Sequence, residues 1–397
     1  MRVALVVPEY RHGTGGQGGV ATVADYLHNL VIRSGWRVDL YSVRMNSRAV
    51  ESRRLSTPAS WFRRLAVAER RDEVEGYSVG AHVAELEFAR YLPRKALDER
   101  LEQADVVILV AGTPAFAHVT RRVRGPVILQ VATTIELERA HRSSADRNVA
   151  DRLRAAMTRF VARMDVSGVR LPDVVVTEND YMTSYAHKVG AKRVVFCPPG
   201  VDTSKFTPAA GSGAHLIKVA RLGDPRKDLT TLVRGYARAR ELGCQLPLVL
   251  AGRGNVPAAV ASEIERLCLK DHVRIRSDVS HDDLVRLLQD AAFFISSSTE
   301  EGLGIAAIEG MACGLPVVGT ATEGTKTVVG SSQAGEVVAI GDAEGLGHAI
   351  WRWATDDGLR SEGGKLARKR AVEIFSNEAT EARWRSLIEA SIESAVS

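Results

Sequence analysis

Residues 297–318 hold the densest grouping of side chains suited to chemistry. Ser297, Ser298 and Thr299 lead into Glu300-Glu301-Gly302-Leu303-Gly304-Ile305, and Glu309 follows Glu301 at a spacing of eight. Hydroxyls in such a turn can satisfy free backbone donors. Gly302 and Gly304 leave the chain bare where a helix is predicted to begin, so backbone N–H groups there can meet an anion. A phosphate suits a helix N-terminus electrostatically. Two carboxylates flank that spot, and carboxylates repel phosphate, so Glu301 and Glu309 should face hydroxyls instead. A diphosphate carrying a sugar on each side reconciles both facts. Glu301 would then accept hydrogen bonds from one sugar and Glu309 from a ribose diol. The matching positive charges lie upstream, in Arg221 and Lys227, separated by Leu222-Gly223-Asp224-Pro225-Arg226. Arginine can fork two phosphate oxygens and lysine supplies a mobile point charge, so the pair reads as a diphosphate clamp.

These residues need strands and helices to hold them. Short continuous apolar runs recur along the whole chain at 2–7, 38–43, 106–110, 127–131, 174–176, 215–219, 247–251, 293–296 and 316–319. Continuous rather than alternating runs are what buried parallel strands require. Helical patterns lie between them. Val20–Arg33 is one, with Val20, Val23, Leu27, Leu30 and Val31 on one face and Gly35 just beyond the end. The pattern predicts an α/β chain of two doubly wound parallel-sheet domains. Cys197-Pro198-Pro199-Gly200 marks the break, because two prolines and a glycine fit neither a helix interior nor a central strand. The expected domains are 1–197 and 198–377, with the amphipathic segment 378–397 packing back on the first.

The 397 residues are 45% hydrophobic, enough for a sizeable core in each of two domains and too apolar for a disordered chain. The net charge of +5 is unevenly placed: residues 1–200 carry 30 Lys and Arg against 22 Asp and Glu, and residues 201–397 carry 23 against 26. A basic first half suits phosphates or an anionic lipid surface. Cys197, Cys244, Cys268 and Cys313 contain no CxxC pair, which argues against a zinc ribbon or a redox pair, and a disulfide framework is unexpected at this length. The N-terminal apolar run is too short for a signal-peptide core, and no run spans a bilayer. A cytoplasmic chain is expected, with contact at the inner membrane surface compatible with its charge. Between residues 50 and 75, the pairs Arg53-Arg54, Arg63-Arg64 and Arg70-Arg71 surround Trp61 and Phe62. This predicts a helix that anchors Trp61 and Leu65 in the core beside solvated charge; the competing reading is an interfacial helix.

Gly13-Thr14-Gly15-Gly16-Gln17-Gly18 matches a dinucleotide-binding letter pattern, and Asp39 follows. Pro8 to His12 separate these glycines from the strand, however, and Asp39 lies within an apolar run rather than at a strand end. The mechanics of that motif are therefore missing. What remains is a glycine-rich loop, ending in Gly18 and Gly19, that leads into a helix and can approach an anion.

Taken in order, the motifs resemble glycosyltransferase family 4, retaining enzymes of the GT-B fold that use sugar nucleotides. Gly18-Gly19-Val20 resembles the N-terminal Gly-Gly loop, and Pro199-Gly200-Val201-Asp202 with Phe206 and Pro208 resembles the entry to the second domain. Arg221 with Lys227, Leu250-Ala251-Gly252-Arg253-Gly254 and the Glu301–Glu309 pair resemble the remaining signatures. The resemblance implies two Rossmann-like domains facing each other across a cleft. It implies that Glu301 and the backbone of Gly302, Leu303, Gly304 and Ile305 hold the donor sugar and phosphate. Glu309 would bind the ribose and Val279 would lie beside the nucleobase. Arg221, Lys227 and the Gly19 amide would stabilise the departing diphosphate. Glu9, Tyr10, His12 and Thr133 would line the acceptor side. No metal or other cofactor is implied, since cations and amides do that work. Where the family often carries a His after the strand at 127–131, this chain has Ala132-Thr133, and its Glu323-Gly324-Thr325 keeps only part of a downstream Gly-Gly-x-x-Glu element. The function expected is a metal-independent hexosyltransferase acting from a nucleoside-diphosphate sugar onto a hydroxyl of a phosphorylated, acidic or membrane-bound acceptor. A catalytically silent sugar-nucleotide-binding subunit and a GT-B-type sugar-nucleotide epimerase are the alternatives. Nucleic acid is not an expected partner, because the basic half lacks a helix-turn-helix, zinc or RNP-like pattern.

Overall fold

A computed structural model describes residues 1–10, 19–45, 51–70, 76–83, 85–139, 149–209 and 213–396. The chain divides into two compact units, Met1–Pro199 with Glu381–Ser397, and Gly200–Thr380.

The first unit is built on an eight-stranded sheet. Its strands are β1 (Arg2–Pro8), β2 (Arg37–Val43), β3 (Ala68–Arg70), β4 (Gly76–Val79), β5 (Val106–Ala111), β6 (Val127–Val131), β7 (Val174–Thr177) and β8 (Val194–Phe196), in the order β3-β4-β2-β1-β5-β6-β7-β8. All pairings are parallel except β3 with β4. β5 and β6 are buried at every residue, as strands covered on both faces must be. Helix Gly19–Arg33 covers one face with Val23, Leu27, Leu30 and Val31, and the terminal helix Asn377–Val396 adds Trp384, Leu387 and Ile388 to the same core.

The second unit holds β9 (His215–Arg221), β10 (Leu248–Arg253), β11 (Val273–Ser277), β12 (Ala291–Ser296), β13 (Val317–Thr320) and β14 (Gly335–Val338). Their order is β11-β10-β9-β12-β13-β14, all parallel. Strand order reverses between β9 and β12. The loops leaving these neighbours at their carboxyl ends therefore diverge to opposite faces and open a crevice, the place where open α/β sheets bind ligands.

Asp39 is buried within β2 and pairs with Arg2 and Arg37, so its charge is neutralised inside the first unit rather than presented at a strand end. The segment around Trp61 departs from expectation. Among its described residues it forms a short 3-10 turn, Pro58–Ser60, and the strand β3, with no core-anchoring or interfacial helix. Trp61 is exposed rather than buried, because Pro58 and the hydroxyl of Ser60 close a tight turn in which the ring stays outside.

Two glycines set close backbone approaches. Gly200 lies where the second unit begins, and a Cβ there would stand 2.4 Å from the Thr380 hydroxyl and 2.7 Å from the Asn377 backbone. At the end of β10, Gly252 has φ +139°, and a Cβ would fall 1.8 Å from the Ala220 carbonyl oxygen of β9. Gly252→Ala is expected to lower stability by about 2–4 kcal/mol, since it combines an unfavourable φ with a backbone clash. Urea denaturation monitored by far-UV circular dichroism measures this; a midpoint within error of the parent would contradict the close approach.

Candidate functional site

Two loops at the carboxyl edge of the second sheet are stitched together. After β9, residues 222–228 form a turn that ends in a 3-10 segment, Pro225–Lys227. After β12, residues 297–304 lead into helix Ile305–Ala312. The backbone N–H of Thr299 donates to the Arg226 carbonyl at 2.8 Å, and the Ser297 hydroxyl donates to the Lys227 carbonyl at 2.7 Å. The Thr320 hydroxyl of β13 donates to the Ser298 carbonyl at 2.6 Å. The serine-rich turn thus closes the loops on each other through hydroxyls.

Side chains follow the same path. Lys227 Nζ lies 2.5 Å from Glu301 Oε2. Arg226 bridges Asp224 and Glu300, with 2.8 Å contacts to each, and Arg221 reaches Asp224 at 2.7 Å. Burial alone would push the Glu301 carboxyl up; the charge and hydrogen bond of Lys227, with Lys218 and Arg226 behind it, outweigh burial and hold it below the usual range. Asp224 is likewise resisted by burial but drawn down to about 2 by its arginines. Glu300 moves the other way, since burial outweighs its pairing with Arg226. The edge therefore carries an ionised Glu301 paired with Lys227, with Arg226 held on the neighbouring Glu300.

The start of helix Ile305–Ala312 has no side-chain cap, and Gly304 enters it with φ +90°. An uncapped first turn carries backbone donors and the positive end of the helix dipole. Leu303 is buried, while Gly302, Gly304 and Ile305 are half-buried beside Glu301. Two turns along, the Glu309 carboxyl accepts no hydrogen bond among the described residues, and burial raises it to about 7. It is therefore free to take hydroxyl partners from a ligand. Val279 is half-buried in the loop after β11. The adjacent Asp278 donates its N–H to the Gly252 carbonyl at 2.6 Å and accepts from the Gly254 N–H at 3.0 Å. The Gly252–Gly254 turn and Val279 thus belong to one structure at the same sheet edge.

Lys227 closes the 3-10 turn, and the following helix starts at Leu229 after Asp228, whose φ of 40° reorients the chain. Arg221 is the last residue of β9. Glu323-Gly324, a partial motif in sequence, packs against the Glu301 loop. The Gly324 N–H donates to the Glu301 carbonyl at 2.9 Å, and a Cβ on Gly324 would stand 2.7 Å from the Leu303 carbonyl oxygen.

In the first unit, Glu9 follows β1 with φ 49°, its N–H bonded to Val43 and its carboxylate accepting from the Met45 N–H beside Arg44. Tyr10 is a correction. Its ring is 3% exposed in the core and its hydroxyl donates to Asp25, so it presents nothing to a ligand. Thr133 follows β6, with its N–H on the Gly112 carbonyl at 3.0 Å, and is nearly buried. Gly19 begins helix Gly19–Arg33. His12 and Gly18 lie outside the described residues.

Sequence reasoning passed over Lys218. It stands inside β9, 2% exposed, with Nζ 3.3 Å from Ser296 Oγ, 3.5 Å from Ser298 Oγ and 5.9 Å from the centre of the Phe294 ring. The Ser298 hydroxyl in turn lies 3.4 Å from Glu301 Oε2. A lysine within an apolar strand is the signal that would have flagged it. Burial, reinforced by the charge of Lys227 and opposed by that of Glu301, lowers its amine to about 7. An unfolded lysine titrates near 10.4, so between about pH 7 and 10 the unfolded chain binds the extra proton. Stability from this group therefore rises with pH across that window and is penalised in full below it. Lys218→Met is expected to raise the melting temperature at pH 6–7 and to flatten its rise toward pH 10. Thermal melts across that range measure both effects, and a variant that melts lower than the parent at pH 6 would contradict the buried cation.

Residues 203–370 match the family model for glycosyl transferases group 1. The MMP alpha-(1->4)-mannosyltransferase of Mycolicibacterium hassiacum is 30% identical over 217 residues, covering 54% of this chain and 52% of that protein. The D-inositol 3-phosphate glycosyltransferase of Salinispora arenicola is 31% identical over 204 residues, covering 45% and 46%. The chain thus spans about half the length of these relatives. Among solved structures, sucrose-phosphate synthase from Thermosynechococcus elongatus superposes with a TM-score of 0.72 at 18% identity, covering 98% of both chains. Anabaena Alr3699/HepE in complex with UDP gives a TM-score of 0.68 at 14% identity, covering 98% of this chain and 100% of that one. These bear out the resemblance read from the motifs. The chain has the GT-B fold, with two parallel-sheet units, and its residues 203–370 are similar to the glycosyl transferases group 1 family.

Proposed function

We propose that the chain is a retaining glycosyltransferase that moves a hexosyl group from a nucleoside-diphosphate sugar to an acceptor hydroxyl without a metal. The observation that carries this reading is the Lys227–Glu301 pair just ahead of the uncapped start of helix Ile305–Ala312, with Arg221 tied to the same loops through Asp224, Arg226 and Glu300. Anion-binding donors and a hydroxyl-binding carboxylate then lie at one sheet edge. The UDP complex of a structural neighbour agrees with a nucleotide donor.

In this reading the donor diphosphate lies over the helix start. Arg221 exchanges Asp224 for phosphate oxygens, and Lys227, with three donors, keeps Glu301 while reaching the phosphate. Glu301 accepts from the transferred sugar's hydroxyls and Glu309 from the ribose diol. Val279 with the Gly252–Gly254 turn borders the base. The anomeric C–O bond breaks first, and its electron pair goes to the diphosphate, whose developing charge the two cations stabilise. The acceptor oxygen then bonds the oxocarbenium-like carbon from the face the diphosphate leaves, and its proton passes to the leaving phosphate oxygen. Configuration is thereby retained. Glu9 and Thr133, after β1 and β6 of the first unit, are the acceptor-side residues of this reading. The basic charge of the first half favours a phosphorylated, acidic or membrane-held acceptor at the inner membrane surface, in keeping with relatives named for a phosphorylated acceptor.

Thermal shift against UDP-, GDP- and ADP-sugars is expected to single out one base by a raised melting temperature. With that donor, Arg221→Ala and Lys227→Ala should each lower turnover by about 10²–10³ while changing donor binding far less. NMR of the product should show the donor's anomeric configuration. Stabilisation by a donor without hydrolysis or transfer would favour the silent binding subunit, and near-normal turnover in both variants would remove the clamp.

A further inference from the structure

The turn at residues 52–64 carries charge and aromatic surface that donor chemistry does not use. Leu55 is 51% exposed, Trp61 50% and Phe62 91%, so three large apolar side chains stand in solvent within eight residues. They are held there by a built knot. Buried Ser52 and Ser60 form its base. The Ala81 N–H donates to Ser52 Oγ at 2.9 Å, the Arg54 N–H donates to Ser60 Oγ at 2.8 Å, and the Ser60 hydroxyl donates to the Thr57 carbonyl at 2.7 Å. The Trp61 indole N–H donates to the Arg54 carbonyl at 2.8 Å, and Arg53 Nε donates to the Arg63 carbonyl at 2.8 Å. The indole therefore needs no outside polar partner and can enter an apolar phase at little polar cost.

Positive charge rings the aromatics. Arg63 and Arg64 are exposed, Arg53 is half-exposed, and none of the three forms an ion pair among the described residues. Two acidic groups beside the turn are engaged elsewhere: Glu85 accepts from the Leu55 and Ser56 N–H groups, and Glu51 lies beside Arg44. Exposed rings beside unpaired guanidinium groups match the boundary of an anionic bilayer, where rings enter the headgroup layer and arginines meet lipid phosphates.

We propose that this knot is a docking surface for an anionic lipid bilayer, with Phe62, Trp61 and Leu55 inserting and Arg53, Arg63 and Arg64 pairing with headgroup phosphates. The surface belongs to the first unit and does not depend on the donor reading. Association is weak and reversible, sensitive to salt, and contributed about fivefold by each arginine near the charged surface.

Flotation of the full chain with vesicles tests it. Phosphatidylcholine vesicles containing phosphatidylglycerol should carry the protein at low salt, pure phosphatidylcholine vesicles should not, and high salt should release it. Phe62→Ser and the double variant Arg63→Ala/Arg64→Ala should each reduce binding by about tenfold or more with unchanged melting temperatures, because these side chains lie outside the core. No binding to the anionic vesicles at low salt, or equal binding by parent and both variants, would overturn the proposal. So would self-association of the parent that Phe62→Ser abolishes with no effect on vesicle binding, since the patch would then serve a second copy.

Discussion

The ion pair between Lys227 and Glu301 organises the second unit's ligand edge. It joins the loop after β9 to the loop after β12, two strands that are neighbours in space but 70 residues apart in the chain. Backbone bonds from Thr299 and Ser297 to the carbonyls of Arg226 and Lys227 set the loops at a fixed separation, and Thr320 braces the turn from β13. With the loops so placed, Glu301 and the start of helix Ile305–Ala312 cannot drift apart from the cations. Gly324 closes the arrangement from below, where a side chain would strike the Leu303 carbonyl.

Charge is balanced within this edge rather than concentrated. Arg226 is held by Asp224 and Glu300, Arg221 by Asp224, and Lys227 by Glu301. Such pairing keeps several cations in place before any anion arrives, and it preorganises them at the cost of an exchange on binding. Lys218 and Glu309 are the unbalanced members. One is a buried amine with hydroxyl partners and the other a half-buried carboxyl with none among the described residues. Both destabilise the empty fold, which is the usual mark of groups whose favourable contacts come from a bound molecule.

The two sheets share one logic. In each, central parallel strands are largely buried and deliver polar residues at their carboxyl ends: Glu9 and Thr133 in the first unit, Arg221, Ser297 and Glu301 in the second. The first unit adds an outer element without a counterpart in that scheme, the knot whose aromatics stay in solvent while its serines are buried.

Much of this was legible in the residues. Continuous apolar runs located strands such as Val127–Val131 to the residue, because strands buried on both faces permit little polar interruption. Gly304 and the Glu301–Glu309 spacing marked the helix start, since only a bare backbone suits its left-handed entry. What tertiary structure decided were the pairings of residues distant in the chain. No spacing tells that Lys227 meets Glu301, that Gly324 supports Leu303, or that Lys218 reaches Ser298 beneath the site, because strand order rather than sequence order makes them neighbours. Nor could composition choose between a buried and an exposed Trp61 or Tyr10. A hydroxyl-closed turn put the indole outside, and the packing of β1 against helix Gly19–Arg33 put the phenol in. Local backbone preferences named the elements; hydrogen bonds across strand ends selected which of their side chains meet.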